Sequence, residues 1–256
     1  SPLGGISRAD LPGSGHALKT TLRSDVGLVL DTGVAIQVHV SDLPLQPLGS
    51  DVQVDASEFL GLSTRVIGVI EWKSEGTYAI GTKTGVVKRF SGPLPDRHEV
   101  SLISLKEGDR VVGIAHAGDS LSLVFITDAA NLLVFPAPTV RPQGLAAAGM
   151  AGMNTSGSRV VFFGTASNQA LLLTAANNSQ ALGATDPGSC KLTPLDKFPM
   201  KGRGAMGVRC QRFLKGEDQL YFASLTSQEP TIFDSSGQVL DVPQLDERRD
   251  SSGSPA

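Results

Sequence analysis

Residues 77–90 read TYAIGTKTGVVKRF, and residues 110–116 read RVVGIAH. The first stretch carries β-branched and apolar residues on either side of Thr84–Gly85. Glycine tolerates the positive φ that a tight hairpin turn requires, so this stretch predicts two antiparallel strands. The second stretch is rich in Val and Ile and predicts a further strand that closes the unit.

This unit recurs along the chain. Its closing strands begin with Arg65, Arg110 and Arg159, which are 45 and 49 residues apart. No segment shows sustained helical periodicity. Several strands in each period of about 40 to 60 residues predict a propeller-like array. In the first copy the predicted hairpin spans 27–40, with its turn at Thr32–Gly33, and the closing strand spans 65–72. The third copy has its hairpin at 121–136 and its closing strand at 159–166, and the fourth has its hairpin at 169–183, with the turn at Asn177–Asn178, and its closing strand at 218–224. A half-copy follows at 230–242, with its turn at Ser236–Gly237.

The two ends of the array are incomplete. Residues 16–25 predict a strand without an opening hairpin, and the half-copy at 230–242 lacks a closing strand. Pairing them would complete a blade and cover two open strand edges. We therefore predict an all-β, five-bladed ring over residues 16–245, with a composite last blade made of N- and C-terminal strands. Residues 1–15 predict a flexible lead-in, and residues 246–256, which are charged and small, predict a disordered tail.

Composition limits the class of protein. The chain has 256 residues, of which 40% are hydrophobic, which is enough for a real core. The net charge of −3 argues against uniform coating by nucleic acid but allows a local basic patch. No apolar run approaches the about 18 residues that span a membrane, and the N-terminus lacks a signal-peptide layout. Cys190 and Cys210 match neither a zinc motif nor a disulfide scaffold, so we expect reduced thiols and a cytosolic protein.

Positive charge is concentrated between Lys191 and Lys215. This stretch holds seven basic residues against one acid, Asp196. Its glycines allow the backbone to approach a partner closely. A basic, glycine-rich segment suits a phosphate backbone, and the alternative is a solvated loop whose charge serves solubility.

Four motifs, in order along the repeat, resemble one known family. They are G-x-V-K-R at 85–89, KEGD at 106–109, AAAGMAGMNTSGSRVVFFG at 146–164 and GRGAMGVRCQRFLKGEDQLYFA at 202–223. Together they resemble the C-terminal domain of bacterial type IIA topoisomerase A subunits, the family of gyrase A and the topoisomerase IV A subunit. The likeness runs from about Val26 to about Leu245.

The resemblance implies a β-pinwheel, a propeller-like ring whose blades exchange strands and whose basic rim binds and bends duplex DNA. It implies no catalytic, cofactor or metal residue in this chain, because strand cleavage, ATP and Mg²⁺ belong to other parts of such an enzyme. The implied partners are duplex DNA, the catalytic A-subunit body and the B subunit, with no membrane; the isolated domain would be a monomer, cytoplasmic and associated with the nucleoid. The residues that match the DNA-binding rim are Lys88, Arg89, Arg141, Lys201, Arg203, Arg209 and Arg212.

One departure from the family concerns the gyrase box. Gyrase A carries Gln-Arg-Arg-Gly-Gly-Lys-Gly in its first blade, whereas the nearest stretch here is KGRGAMG (201–207), in a later unit. In each unit, the segment between the hairpin and the closing strand is called the excursion. The excursion of the first unit, residues 41–63, holds four acids and no lysine or arginine. The pattern therefore looks more like topoisomerase IV than like a strongly wrapping gyrase.

A propeller that binds protein partners on its faces is the alternative function. Net acidity favours it, and so would Met150 and Met153 if both were exposed. A WD-type propeller is disfavoured because the single Trp72 is followed by Lys73. The GRGAMG run at 202–207 formally matches a dinucleotide motif, but no βαβ pattern surrounds it.

Overall fold

The computed structural model describes residues 18, 20–44, 58, 61, 63–180, 188–228, 230, 232–233 and 239–255. The elements in these ranges are strands, plus three short 3-10 helices at Val40–Asp42, Ala137–Thr139 and Leu195–Lys197. The strands are β1 (Asp25–Leu30), β2 (Val34–His39), β3 (Val66–Glu71), β4 (Thr77–Thr82), β5 (Val86–Ser91), β6 (Glu99–Ser101), β7 (Val111–His116), β8 (Ser122–Thr127), β9 (Asn131–Pro136), β10 (Met150–Ala151), β11 (Val160–Ala166), β12 (Leu171–Asn177), β13 (Ser189–Pro194), β14 (Val208–Arg209), β15 (Gln219–Thr226), β16 (Ile232–Phe233), β17 (Val239–Leu240) and β18 (Ser254–Pro255).

The strands form four antiparallel, four-stranded blades and one two-stranded hairpin, β16–β17. From centre to rim, the first blade is β3-β1-β2-β6, the second β7-β4-β5-β10, the third β11-β8-β9-β14 and the fourth β15-β12-β13-β18. The closing strands β3, β7, β11 and β15 are the innermost, and β3 packs against β7, β7 against β11, and β11 against β15. This order confirms the predicted repeat, in which a hairpin is followed by an excursion and a closing strand.

Each of the first three blades takes its outermost strand from the unit that follows it. β6 belongs to the excursion of the second unit and pairs with β2 of the first blade, from Val34 opposite Ser101 to Ile36 opposite Glu99. β10 and β14 pair in the same way with β5 and β9. This exchange makes the array a β-pinwheel, because each of these blades is completed by the unit that follows it.

The core lies between the blades. The central hairpin strands read as continuous apolar runs because each is covered on both faces, as in β8, where every residue is buried. One cluster joins the first and second blades through Ile80 and Ile114, and another joins the second and third through Phe125 and Phe163. A further cluster joins the third and fourth blades, and one lies on the first blade.

The hairpin turns follow the predicted chemistry in the first two units. Gly33 and Gly85 have φ values of 81° and 88°, in the left-handed region that favours glycine. At the second turn, the buried Asp109 of the KEGD motif accepts hydrogen bonds from the Thr84 backbone N–H at 3.1 Å and from its hydroxyl at 2.7 Å. The motif before the closing strand therefore fixes the turn of its own blade.

The predicted fourth hairpin is wrong in its second half. β12 continues through Asn177, and its partner β13 begins only at Ser189, so Asn177–Asn178 is not a tight turn. β13 is the second strand of the fourth hairpin, and its Leu192 is buried, as a strand covered on both faces requires. The chain after Asn177 is instead held by the residue that precedes the closing strand, because Asp218 accepts hydrogen bonds from the Ser179 N–H and hydroxyl.

The predicted N-terminal strand is also wrong over the residues that the structure describes. Between positions 18 and 24 the described residues carry no strand, and the Ser24 N–H bonds back to the Thr21 carbonyl at 3.0 Å, which turns the chain into β1. The half-copy does form a hairpin, with Ile232 opposite Leu240, while its Ser236–Gly237 turn lies outside the described residues. Five blades with a composite last blade are thus not confirmed, and the lead-in 1–15 also lies outside the described part.

The C-terminal tail is ordered, contrary to the prediction of disorder. Its strand β18 pairs with β13, with Ser254 opposite Cys190, and completes the fourth blade. Before it, the Asp246 carboxylate accepts hydrogen bonds from the Ser251 hydroxyl and the Arg248 guanidinium. The tail takes the place that the excursions of the second, third and fourth units occupy for the preceding blades, and sheet pairing outweighs its hydrophilic composition.

Candidate nucleic-acid interface

The basic stretch at 191–215 is divided between the core and the rim. Lys191 lies on β13 and is buried, and Lys197 is partly buried 3.5 Å from the Glu247 carboxylate. The remaining cations of the stretch are exposed on the outer side of the third and fourth blades: Lys201, Arg203, Arg209, Arg212 and Lys215.

Lys88, predicted to contact DNA, is buried instead. Its side chain lies within the second blade, and Nζ donates to the carbonyl oxygens of Leu102 at 2.6 Å, Leu145 at 2.5 Å and Ala147 at 3.0 Å. Burial lowers the pKa of Lys88 to about 8. The ammonium therefore holds together the excursions of the second and third units and is not available to a phosphate.

Lys191 occupies the same register in the fourth blade. Lys88 is opposite Ile80 and Lys191 is opposite Thr174, the fourth residues of β4 and β12. The Lys191 Nζ donates to the carbonyls of Cys210 at 3.0 Å and Arg249 at 2.7 Å. Burial lowers the pKa of Lys191, although the nearby Asp246 raises it. The same type of lysine contact thus anchors the C-terminal tail.

Arg89 is the second correction. Only 3% of its surface is exposed, and its guanidinium donates to the carbonyls of Ala117, Ala137 and Val140 and to the Asp119 carboxylate at 2.6 Å. The V-K-R motif predicted cations on this strand, but it did not show whether their side chains point to solvent or into the core. A strand covered on both faces buries its cations, and buried cations need carbonyl or carboxylate partners.

The other five predicted rim residues are exposed. Arg141 follows the 3-10 helix at 137–139, Lys201 and Arg203 lie in the loop before β14, Arg209 lies on β14, and Arg212 follows it. Within the described residues, no ion pair joins any of them to a carboxylate. Lys215, which the sequence prediction did not include, is also exposed and unpaired there. Five predicted cations and one additional cation are therefore open to an anionic partner.

The rim loop, residues 200–207, is held in place by backbone hydrogen bonds. The Lys201 N–H donates to the Val134 carbonyl at 3.0 Å, and the Gly204 N–H donates to the Gly152 carbonyl at 2.6 Å. The Ala205 carbonyl accepts from the Asn154 N–H at 3.0 Å. The loop thus contacts both its own blade and the excursion of the third unit, which fixes its shape before any partner arrives.

The third unit carries an equivalent loop without the charge. Gly149 and Gly207 both have left-handed φ, 79° and 87°, and each precedes the donated outer strand. Counting back from them, Ala148 corresponds to Met206 and Gln143 to Lys201. Both loops share a backbone turn, because the Ala147 N–H bonds to the Gly144 carbonyl as Ala205 bonds to Gly202. The same scaffold therefore carries cations on the third blade and nearly neutral residues on the second.

In the C-terminal tail, residues 246–255, a basic and an acidic side chain pair with each other. Arg248 pairs with Asp246 at 3.2 Å. Burial would raise the pKa of Asp246, but hydrogen bonds from Ser251 and Arg248 together lower it. In the part of the chain that the structure describes, no group of three or more His, Cys, Asp or Glu side chains is placed to hold a metal ion, and no helix is long and apolar enough to cross a membrane. Cys190 and Cys210 are free cysteines in this structure.

Comparison with known families identifies the repeat. Residues 100–116, 122–166 and 182–226 match the model of the DNA gyrase C-terminal domain, beta-propeller. The matched segments cover excursions, hairpins and closing strands of the pinwheel. Over these segments the chain is similar to the gyrase A C-terminal domain family. The resemblance found in the sequence is confirmed.

Curated relatives agree with this family. The chain is 31% identical over 121 residues to the topoisomerase subunit TopoM of Mycolicibacterium smegmatis, covering 45% of this chain and 16% of the relative. It is 26% identical over 170 residues to the DNA gyrase A protein of Staphylococcus aureus strain MRSA252, covering 64% of this chain and 18% of the relative. The chain therefore spans less than a fifth of the length of these relatives.

Solved structures of the family share the fold. The C-terminal domain of a DNA topoisomerase IV aligns with a TM-score of 0.72 at 20% identity, over 96% of this chain and 80% of that one. The E. coli ParC C-terminal domain aligns with a TM-score of 0.62 at 14% identity, over 91% and 94%. A gyrase A C-terminal domain aligns with a TM-score of 0.58 at 15% identity, over 82% and 71%.

Proposed function

We propose that this chain is a non-catalytic domain that binds and bends duplex DNA for a type IIA topoisomerase A subunit. The observation that carries the proposal is the group of exposed, carboxylate-free cations around the rim loop, from Arg141 to Arg212. Phosphate binding of this kind needs no base reading, because each cation displaces counterions from the DNA whatever its sequence. The domain would guide the duplex that the catalytic body passes.

The distribution of charge supports a topoisomerase IV-like role over strong gyrase-type wrapping. The five exposed cations assigned to the rim lie along the third and fourth blades, while Lys88 and Arg89 of the second hairpin are buried. The gyrase box is absent from the sequence, and KGRGAMG (201–207) forms the rim loop instead. A short basic arc favours a local bend over a full turn of DNA.

The rest of the enzyme follows from this proposal. Strand cleavage would belong to the A-subunit body and ATP hydrolysis with Mg²⁺ to the B subunit, both partners of this domain. An enzyme that acts on chromosomal DNA would be cytoplasmic and associated with the nucleoid. The isolated domain would be a monomer.

The protein-binding alternative loses its main structural support. Met153 is 4% exposed and Met150 is partly buried, packed between the second and third blades. They form no exposed methionine patch. The Met150 and Met153 pair therefore gives no support to a protein-binding face.

The test is duplex binding by the whole 256-residue chain across a salt series. With about five phosphates neutralised, log K should fall with log salt at a slope of roughly −4 to −5. The variant K201A/R203A/R209A should weaken binding at low salt and make the slope shallower by about two to three.

A charge-matched control removes three lysines outside the rim. The variant K73A/K83A/K106A has the same net charge as the rim variant and should keep the wild-type slope. Equal slopes for the two variants, or no binding by wild type at low salt, would overturn the proposal and favour a protein partner.

A further inference from the structure

The rim loop presents apolar side chains beside its cations. Among the described residues, six large hydrophobic side chains are exposed, and two of them, Met200 at 49% and Met206 at 46%, lie at the two ends of this loop. Lys201 and Arg203 lie between them and are exposed as well. Long apolar and cationic side chains therefore share one short segment.

The fold does not require these methionines. Phe198 and Ala205 pack the loop onto the core clusters of the fourth and third blades. In the equivalent loop of the third unit, Pro142 and Ala148 occupy the positions of Met200 and Met206. That loop keeps the same backbone turn with a short side chain at both positions.

The tip of the loop faces open space, and hydrogen bonds hold its backbone on the blades. A methyl group added to Gly202 or Gly204 would meet no other atom within 4 Å. The hydrogen bonds to Val134, Gly152 and Asn154 hold the backbone on two blades, and the Arg203 guanidinium donates to the Ala151 carbonyl. Such a loop presents its side chains without a large loss of backbone entropy on binding.

We infer that Met200 and Met206 are wedges that enter the minor groove of duplex DNA and partly unstack a base step, while Lys201 and Arg203 hold the flanking phosphates. Proteins that bend DNA insert apolar side chains in this way, and the cost of unstacking is offset by contacts that the bend allows. Charge complementarity selects DNA as the occupant, because the cations around the methionines have no carboxylate partner in the described structure. This inference rests on the proposed function and adds the mechanism of the bend.

The experiment separates bending from phosphate binding. A duplex of about 40 base pairs carries a fluorophore at each end and 2-aminopurine at internal steps, so energy transfer reports the bend and 2-aminopurine reports unstacking. M200A/M206A should reduce both signals to near the level of free DNA. Its affinity should fall by about three- to tenfold, with the salt slope unchanged, because the cations remain.

Two controls keep the result interpretable. M200L/M206L keeps the apolar volume and should retain the bend, and K201A/R203A should lower the salt slope by about two. Wild-type bending that survives in M200A/M206A, or 2-aminopurine that stays stacked in the wild-type complex, would overturn the wedge while leaving DNA binding intact. Absence of wild-type binding would instead overturn the proposed function and the wedge with it.

Discussion

At the scale of single residues, Lys88 shows how the pinwheel uses charge inside its core. Its ammonium joins the carbonyls of Leu102, Leu145 and Ala147, which come from two successive excursions. Leu133 takes the same register in the third blade, opposite Phe125, so an apolar residue fits the strand itself. The lysine adds a hydrogen-bond donor for carbonyl oxygens that would otherwise lack one.

Replacing Lys88 should therefore destabilise the domain without changing its strands. K88M leaves three carbonyls without that donor and should lower the unfolding free energy by about 2–4 kcal/mol. The exposed lysine of the neighbouring turn gives the control: K83M should change it by less than about 0.5 kcal/mol. Urea unfolding measures both, and equal stability of the two variants would contradict the structural role of Lys88.

The difference in unfolding free energy between wild type and K88M should depend on pH. Burial lowers the pKa of Lys88 from 10.5 to about 8, so above pH 8 the unfolded chain holds more protons at this group than the folded chain does. The unfolding free energy of wild type should then rise, relative to K88M, as the pH increases from about 7.5 to 9.5. A difference that stays constant over this range would contradict the lowered pKa.

At the scale of elements, the strand that completes a blade always comes from the next segment of the chain. For the fourth blade this strand is β18, and the loop before it is anchored by Lys191 at the Arg249 carbonyl. Deletion of residues 246–256 should leave the outer edge of β13 unpaired. An open edge invites pairing with another chain.

The deletion should lower the melting temperature by several degrees and make the elution volume depend on protein concentration. Hydrogen exchange should accelerate most in β13, and much less in β5 or β9, whose outer strands remain. The variant S251A, which removes one hydrogen bond to Asp246 but keeps β18, is the milder control. Unchanged exchange in β13 after the deletion would show that the tail does not stabilise the fourth blade.

Elements also set the limit of what the sequence predicts. The hairpins and closing strands were predictable because apolar runs and Gly33 or Gly85 mark them locally. The donated strands β10, β14 and β18 have two residues each, and their pairing depends on distant partners, so no local pattern reveals them. Composition therefore predicted a disordered tail where the sheet orders it.

The candidate DNA-binding residues also divide into those that local sequence predicts and those that depend on distant partners. Arg141, Lys201, Arg203, Arg209 and Arg212 were placed correctly on the surface, because loops and rim strands carry charge outward. Lys88 and Arg89 were misplaced because charge alone does not show that a strand is covered on both faces. Their burial depends on the carbonyls that neighbouring units bring to them.

At the scale of the whole molecule, the exposed cations that are assigned to the rim cover an arc and not a complete ring. A compact chain of this length has a radius of gyration of about 18 Å and, as a sphere, an outer radius of about 23 Å, so DNA around its whole rim would run about 150 Å, or about 45 base pairs. The rim of the third blade and its two borders is about a third of that path. We therefore expect the contact to end within about 20 base pairs.

Affinity should then rise with duplex length up to about 20 base pairs and, after correction for the number of overlapping sites, change by less than about twofold from 20 to 45. A charge added to the neighbouring rim should extend the path. Ala151 is exposed and takes the place of Arg209 in the equivalent strand, so A151R should raise the salt slope by about one and move the plateau to longer duplexes. Affinity of the wild-type chain that keeps rising to about 45 base pairs would show instead that DNA follows the entire rim, as wrapping requires.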